Sequence, residues 1–479
     1  MSTGYQRELI TRDKEDIEEM NGGTQELTKT AAVKEMPLGI PDVVREALHR
    51  EVEQLWAKAY AKARDLTPGG FFVLEREIRE DALKVGGTVL GLALERGMGT
   101  GYQGTSVSCE SCQQPARFVN HRGKTIFTLM HPVGVKRAYY YCGACGQGYF
   151  PLDERLGIVE SLVSPALAEA MVRVNAEVPF ERAEELLMSL SGVHYNRRDA
   201  RELTEAFGER LEEEAQEEIR EMFKVGKRKP TPVENPEAPE RLYISPDGTT
   251  VHMEDGWKEV KVASVFTARV PVKKGEEPER QRTRYVGTTE DSQAFGRRLY
   301  VEALKQGLEK TKEVVVLADG GAWIWNEAET WLPKDRIEII DFFHAKEKLW
   351  EVANTLYGEG SPKAALWAQR WSGVLYKRDG AAVLPALKRL RPLPRAKEEV
   401  RKVIGYFAAH RDRMRYGYFR RHGYFIGSGV TESSCKHLVG SRLKQAGMCW
   451  NKVNVQAILQ VRVALLNQRW DHLWQEHLN

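Results

Sequence analysis

Two stretches, Arg241-Leu-Tyr-Ile-Ser-Pro-Asp-Gly-Thr-Thr250 and Glu313-Val-Val-Val-Leu-Ala-Asp-Gly-Gly321, decide how this chain reads. Each is a short apolar run that leads to an aspartate with glycine behind it. Residues 314–318 are continuously apolar, as in strands buried on both faces. Glycine beside Asp247 and Asp319 leaves room for backbone or substrate to approach. Adjacent strands of one sheet bring such carboxylates to within about 5 Å. Carboxylates that near repel unless a cation lies between them, and a hard cation with oxygen ligands and room for phosphate is Mg²⁺. Taken singly, either aspartate reads more simply as a turn or cap residue. Together in one α/β unit, they read as a site.

Working outward, strands are expected at 241–245, 257–269 and 284–288, a helix at 292–310, and strands at 313–318 and 336–341. That order, β-β-β-α-β-α-β, gives a mixed sheet of about five strands. Helix dominates from Phe342, with interruptions at Pro385, at Pro392-Leu393-Pro394 and over 416–429, and a final helical stretch at 431–474. Upstream, 226–240 holds Pro230, Pro232, Pro236 and Pro239 and reads as a linker. Before it lie three helices, 165–174, 180–189 and 196–211, the first opened by Ser164 as cap and Pro165 in the first turn, the last continued by the glutamate-rich 209–221. Residues 97–152 are glycine-rich with β-type runs at 125–130 and 133–141. A helical pair fills 42–96, broken at Pro68-Gly69-Gly70, and is expected to pack on something or dimerise. Residues 2–36 are polar and expected not to fold alone.

A chain of 479 residues holds about three or four domains. No apolar run reaches ~18 residues, so no membrane span is expected. The polar start lacks the apolar core of a secretion signal. The net charge of +3 hides an asymmetry. Residues 341–479 carry 24 Lys and Arg against 11 Asp and Glu, a net of +13, which leaves −10 for the remainder. Within 361–470 the count is 22 against 5. Such a block points to a polyanion, and nucleic acid is the expected partner. Aromatics alternate with its basic residues, among them Arg413, Arg415, Arg420 and Arg421, a composition suited to stacking on bases and contacting phosphates.

Cys109-Glu-Ser-Cys112 and Cys142-Gly-Ala-Cys145 form a CxxC…CxxC pattern with 29 residues between. Two such turns present four thiolates to one tetrahedral ion, so a structural Zn²⁺ is expected. Arg137 and 139–141 lie beside the second turn and are open to either packing or DNA contact. Cys435 and Cys449 fit neither a ligand pair nor a disulfide and read as small apolar residues on a helix. Free and clustered cysteines together point to a reducing cytoplasm.

The helices at 180–190 and 196–211, with Gly192 in the turn, have helix-turn-helix spacing. The second opens with Asn196, Arg197 and Arg198, the end that would meet DNA, although a plain helical hairpin fits as well. Glu432 is the candidate third carboxylate, after the Gly427-Ser428-Gly429 turn with Thr431 as a possible cap. Lys436 stands at i+4, which also suits a simple ion pair, and Arg442 and Lys444 follow; the three are otherwise expected to bind DNA, carrying its phosphates past the site.

Asp247-Gly-Thr, Asp319-Gly, Asp341-Phe-Phe-His344 and the run from Gly427 through Glu432 to Lys436 resemble the DDE transposases of bacterial insertion sequences. The resemblance is to the Kra group, related to Mutator-like transposases. It implies a multidomain α+β chain with an RNase H-like mixed sheet and an all-α insertion, preceded by a zinc ribbon and a helix-turn-helix-like region. In residues, that is a flexible tail at 1–36, a helical region at 37–100, the ribbon at 101–152 and a DNA-binding region at 153–225. The linker at 226–240 leads into a core over 241–344, an insertion at 345–428 and final helices at 429–479. The resemblance further implies that Asp247, Asp319 and Glu432 hold two Mg²⁺ (or Mn²⁺) ions, with Asp341 and His344 bracing the core or touching a strand near the site. The implied partners are element ends and target DNA, and a dimer or higher assembly that pairs two ends. Two other activities suit the same residues: a DNA-binding regulator with an inactive α/β domain, and a structure-specific nuclease that cuts without joining.

Overall fold

The computed structural model describes residues 42–159, 161–193, 195–224, 238–270, 278–390, 394–427, 429 and 434–478. The polar start, most of the expected linker, Thr431 and Glu432 lie outside the described residues. The chain divides into two compact units, one of residues up to 125 with 130–152, the other of 126–129 with 153–479.

In the first unit, α1 (Asp42–Arg64) and α2 (Gly70–Met98) form an antiparallel hairpin around a turn at Gly69, where φ is 84°. Lys58–Asp81, Lys62–Glu77 and Glu51–Thr88 pair across it. Glycine inside a helix costs roughly 1 kcal/mol, yet α2 contains Gly86, Gly87 and Gly91. The reason is close approach. A Cβ on Gly87 would lie 2.7 Å from the His131 Cβ, and one on Gly91 3.2 Å from Val133. Four strands follow in spatial order β1 (Ser106–Ser108), β2 (Pro115–Ile126), β3 (Val133–Tyr141) and β4 (Gly148–Tyr149). The expected run at 133–141 is β3, whereas 125–130 is only the end of β2. The short helix α3 (Pro151–Arg155) comes next.

In the second unit, α4 (Pro165–Glu177) opens as its sequence predicts, with the Ser164 hydroxyl accepting from the Leu167 N–H. Two helices, α5 (Phe180–Ser191) and α6 (Arg197–Phe223), precede the sheet. Its strands are β5 (Arg241–Met253), β6 (Gly256–Arg269), β7 (Glu279–Thr288), β8 (Glu313–Ala318) and β9 (Ile337–Ile340), in spatial order β7-β6-β5-β8-β9. The first three are antiparallel; β8 pairs parallel with both β5 and β9. Helices α7 (Ser292–Lys305) and α8 (Ala322–Trp331) join the last strands. The chain is therefore a multidomain α+β protein with a mixed sheet and many helices.

Among the described residues, no named strand follows Ile340. Helices α9 (Phe342–Tyr357), α10 (Pro362–Lys377), α11 (Gly380–Arg389), α12 (Pro394–Ala409) and α13 (Tyr416–Arg421) lead to a π-helical turn, Cys435–Gly440, then α14 (Lys452–Leu466) and α15 (Trp470–Leu478). Two expectations are corrected. Helix α11 runs through Pro385, because Val383 and Leu387 are both fully buried and offset the lost hydrogen bond. The last stretch is not one helix: Gly447 takes φ 79°, and Asn451 caps a fresh start at α14.

One buried cluster joins β5 and β8 with α7 to α13; Leu242, Ile244, Val315, Leu317, Phe295 and Phe407 are its centre. A second sets Val251, Met253, Val260 and Val262 against α14 and the π-turn. Helix α6 crosses α14 so closely that a Cβ on Gly208 would fall 2.2 Å from the Ala457 carbonyl oxygen. No helix is long and apolar enough to cross a membrane, among the described residues.

Candidate active site and metal centre

The parallel β5–β8 ladder pairs Ile244 with Val316 and stops there. Pro246 has no N–H to continue it. The Ser245 hydroxyl instead donates to the Leu317 carbonyl oxygen at 2.7 Å. Carrying the register three residues further sets Asp247, midway along β5, opposite Asp319, which directly follows the carboxyl end of β8, where α/β sheets bind ligands. The N–H of Gly248 donates to one Asp247 carboxylate oxygen at 2.7 Å, and the Cys435 thiol donates to the other at 3.0 Å. The Gly321 N–H donates to Asp319 at 2.9 Å. The Tyr406 hydroxyl of α12 donates to the Asp319 carbonyl oxygen at 2.6 Å. That approach explains Gly320, which takes φ 114° and whose Cβ would sit 2.9 Å from the Tyr406 ring.

The electrostatics record a crowded negative pair. Burial pushes the Asp247 carboxyl above its usual range and Asp319 pushes it the same way, against the thiol, the Gly248 N–H and His344. Burial, then the charges of Asp247 and Asp319, raise the Cys435 thiol well above its usual value. Burial and Asp319 do the same to the Tyr406 phenol. A buried carboxylate pushed toward its protonated form by a second one nearby is the setting a hard divalent cation would relieve. Glu432 lies outside the described residues. Asp341 is 2 % exposed and caps α9 by accepting from the His344 N–H, so it braces the fold. His344 is half exposed and close enough for its charge to act on Asp247.

Lys444 is exposed and donates to Thr249, two residues from Asp247, at 2.6 Å; Lys436 is exposed one residue beyond Cys435. Arg442, expected to meet DNA, is fully buried. Its Nε donates to the Asn175 carbonyl oxygen at 2.8 Å and its guanidinium lies over Phe180 and Trp450. Burial, with Arg462 nearby, lowers its pKa to about 10. A DNA role for Arg442 is therefore withdrawn. Arg413 is largely held inside as well, bonded to Glu338 at 2.6 Å and stacked on Trp325. Arg415, Arg420 and Arg421 are exposed. Asn196, expected to contact DNA, spends its side chain on capping α6; Arg197 and Arg198 are exposed but paired with Glu184 at 2.9 Å and Glu202 at 2.7 Å. Nothing local in the sequence marks Cys435 and Tyr406 as site residues, because their partners lie 188 and 87 residues away.

The cysteines converge. The sulfurs of Cys109, Cys112, Cys142 and Cys145 all lie within 4.8 Å of one another, with Cys109–Cys145 and Cys112–Cys142 at 3.6 Å. A tetrahedron with metal–sulfur bonds near 2.3 Å has edges of about 3.8 Å. The two turns repeat one backbone pattern. Gln113 and Gly146 donate to the Cys109 and Cys142 carbonyl oxygens at 2.7 and 2.9 Å, both with left-handed φ, 58° and 77°. N–H groups of Cys112 and Ser111 lower the Cys109 thiol, and those of Cys145 and Ala144 bring Cys142 down to about 7. This set can hold one metal ion such as zinc, and it is the one such cluster among the described residues.

The profile of the Uncharacterised protein family (UPF0236) matches residues 110–474. The chain belongs to UPF0236. The UPF0236 match takes in Asp247, Asp319, Glu432 and three of the four cysteines, and leaves the α1–α2 hairpin outside. No curated protein matches the chain.

Proposed function

We propose that this UPF0236 chain is a DNA transposase of an insertion sequence, which cleaves element ends and joins them to target DNA through Asp247, Asp319 and Glu432. The register that sets Asp247 opposite Asp319 carries this reading. The sheet order supports it: three antiparallel strands with two parallel ones added beside the first is the order an RNase H-like core would have, and the helices over 345–428 would be its all-α insertion. Cys435, whose thiol meets Asp247, is three residues beyond Glu432, a chain distance of about 10 Å at most. The tetrad with its four strands reads as a zinc ribbon, and α5–α6 as a helix-turn-helix-like element.

The three carboxylates would hold two Mg²⁺ (or Mn²⁺) ions. Bound there, the ions would activate a water or a DNA 3′-OH and stabilise the leaving oxygen in an in-line displacement. The chain's own groups fix the carboxylates. Gly248 and Gly321 hold one oxygen of each aspartate, and Tyr406 pins the Asp319 backbone. Lys436, Lys444 and His344 supply positive charge beside the pair for phosphates. The exposed Arg415, Arg420 and Arg421 would add further phosphate contacts. The setting is the cytoplasm, and the working form is a dimer or higher.

The test is strand cleavage and joining on DNA that carries the inverted repeats flanking the gene, with Mg²⁺. The wild-type chain yields cut and joined products, and Asp319→Asn loses both by at least ~100-fold. Undiminished joining by Asp319→Asn overturns the proposal. Cutting without joining selects the nuclease, and binding with neither selects the regulator.

A further inference from the structure

The four-stranded sheet beside the cysteines has a packed face and an open one. Ala116 of β2 and Ala138 and Tyr140 of β3 are buried with two of the cysteines, and Val107 of β1 and Phe118 of β2 pack against them. Side chains alternate along a strand, so Ser106, Arg117, Val119, Tyr139 and Tyr141 point to the opposite face. Arg122 joins that face, since its guanidinium lies 3.6 Å over the Tyr139 ring. The face is open to solvent: Ser106, Arg117 and Arg122 are exposed, Val119 is 51 % exposed and Tyr141 44 %.

Its charge indicates what meets it. Strands β1 to β4 hold five Lys and Arg and no Asp or Glu. Neither Arg117 nor Arg122 meets a carboxylate among the described residues; the Arg122 Nε donates to the Asn120 side chain at 3.3 Å, which leaves both Nη groups to face outward. A planar guanidinium laid on a ring is already oriented for the two-pronged grip that phosphate oxygens accept. Arg137, by contrast, is buried over Phe150 at 4.0 Å and belongs to the packing. The α5–α6 pair has the opposite character. Residues 153–225, which contain it, carry 18 Asp and Glu against 9 Lys and Arg, and Arg197 and Arg198 are spent on Glu184 and Glu202. An acidic surface repels a polyanion, whereas an acid-free sheet with unspent arginines attracts one.

We infer that the open face of the cysteine-bearing sheet is a DNA-contact surface, where Arg117 and Arg122 each hold a backbone phosphate and Val119 and Tyr141 lie against the chain beside them. The two arginines stand five residues apart on β2, at most about 17 Å along the strand. Phosphate contacts of this kind fix position and carry no base sequence. The choice of DNA as the polyanion rests on the proposed function; the surface itself is separate from the metal site.

The experiment is fluorescence anisotropy of a short labelled DNA duplex titrated with the full zinc-loaded chain, without Mg²⁺, across about 50–200 mM salt. Each phosphate contact contributes about 0.9 to the slope of log affinity against log salt. Arg117→Gln/Arg122→Gln is expected to bind more weakly than the wild type, with a slope shallower by about 2. Zinc content and circular dichroism report whether that variant is folded. If it is not, Arg117→Gln alone, which gives up no ring contact, is read instead and is expected to lose about 1 from the slope. A folded variant with the wild-type slope overturns the inference, and so does a wild type that binds no DNA or that binds an RNA duplex of the same length more tightly. A slope altered by Arg197→Gln/Arg198→Gln and not by the sheet variant overturns it too, and returns the contact to α5–α6. Strand joining is scored separately. Joining with an unchanged slope in the sheet variant defeats this inference and keeps the active-site reading; a shallower slope with no joining by the wild type does the reverse.

Discussion

Replacing Asp319 with asparagine should make the protein more stable when no divalent cation is added. Asp247 and Asp319 each lie three residues beyond the last paired residues of β5 and β8, and Asp319 raises the Asp247 carboxyl. Two unit charges about 5 Å apart repel by ~0.8 kcal/mol in water and ~3 kcal/mol at an effective dielectric of 20. Asp247 is well buried, whereas Asp319 is only partly so, and the expected gain is therefore about 1–3 kcal/mol. Asparagine keeps a carbonyl oxygen for the Gly321 N–H and nearly the same volume, so nothing else need be lost. The assay is thermal unfolding of the zinc-loaded protein with and without Mg²⁺. Without Mg²⁺, Asp319→Asn should melt ~1–4 °C higher than the wild type. With Mg²⁺ at ten times its Kd the wild type should gain about 1.4 kcal/mol, and the variant much less. A variant less stable than the wild type without Mg²⁺, or a wild type indifferent to Mg²⁺, would refute the idea of a repelling, cation-binding pair.

A carboxyl raised in the folded state adds stability below the ordinary carboxylate range and loses it as the pH climbs through the raised value. The stability gap between Asp319→Asn and the metal-free wild type should accordingly widen from about pH 4 to pH 7 in paired denaturant titrations. Cys142→Ser removes one thiolate of four, and zinc measured by atomic emission should fall from about one ion per chain toward none. Gly208→Ala gains ~1 kcal/mol of helix propensity but drives a methyl into the Ala457 carbonyl, so a net loss of about 1–2 kcal/mol is expected by urea unfolding. Gly405→Ala in α12 meets nothing within 4 Å and should instead stabilise by up to ~1 kcal/mol.

What the sequence made legible was local. An apolar run ending in Asp-Gly gave β8 at its observed bounds, and Ser164-Pro165 gave the start of α4. The spacing of the cysteines foretold their convergence, because each CxxC is one short turn whose geometry is set within six residues. What escaped reading depends on distant partners. Arg442 looked like one more cation of a basic block, and Phe180 and Asn175, far away in the chain, together with the nearby Trp450, make it a core residue. Cys435 looked like a small apolar residue until its thiol met Asp247. The length of α6 was legible, because the glutamate-rich 209–221 continues its pattern, but the face that packs on α14 and α7 was not; Glu212, for instance, pairs with Arg298. Pro246 was visible, but its consequence, a ladder ended just before the carboxylates, needs the neighbouring strand.

The most direct test of the shared metal site is Mn²⁺ binding to the zinc-loaded chain, followed by electron paramagnetic resonance, for the wild type, Asp247→Asn, Asp319→Asn and Glu432→Gln. The predicted result is about two Mn²⁺ per wild-type chain with the spin coupling of a close pair, and loss of that coupling in each variant. Uncoupled ions in the wild type, or binding that all three substitutions leave unchanged, would contradict a site built from residues 247, 319 and 432.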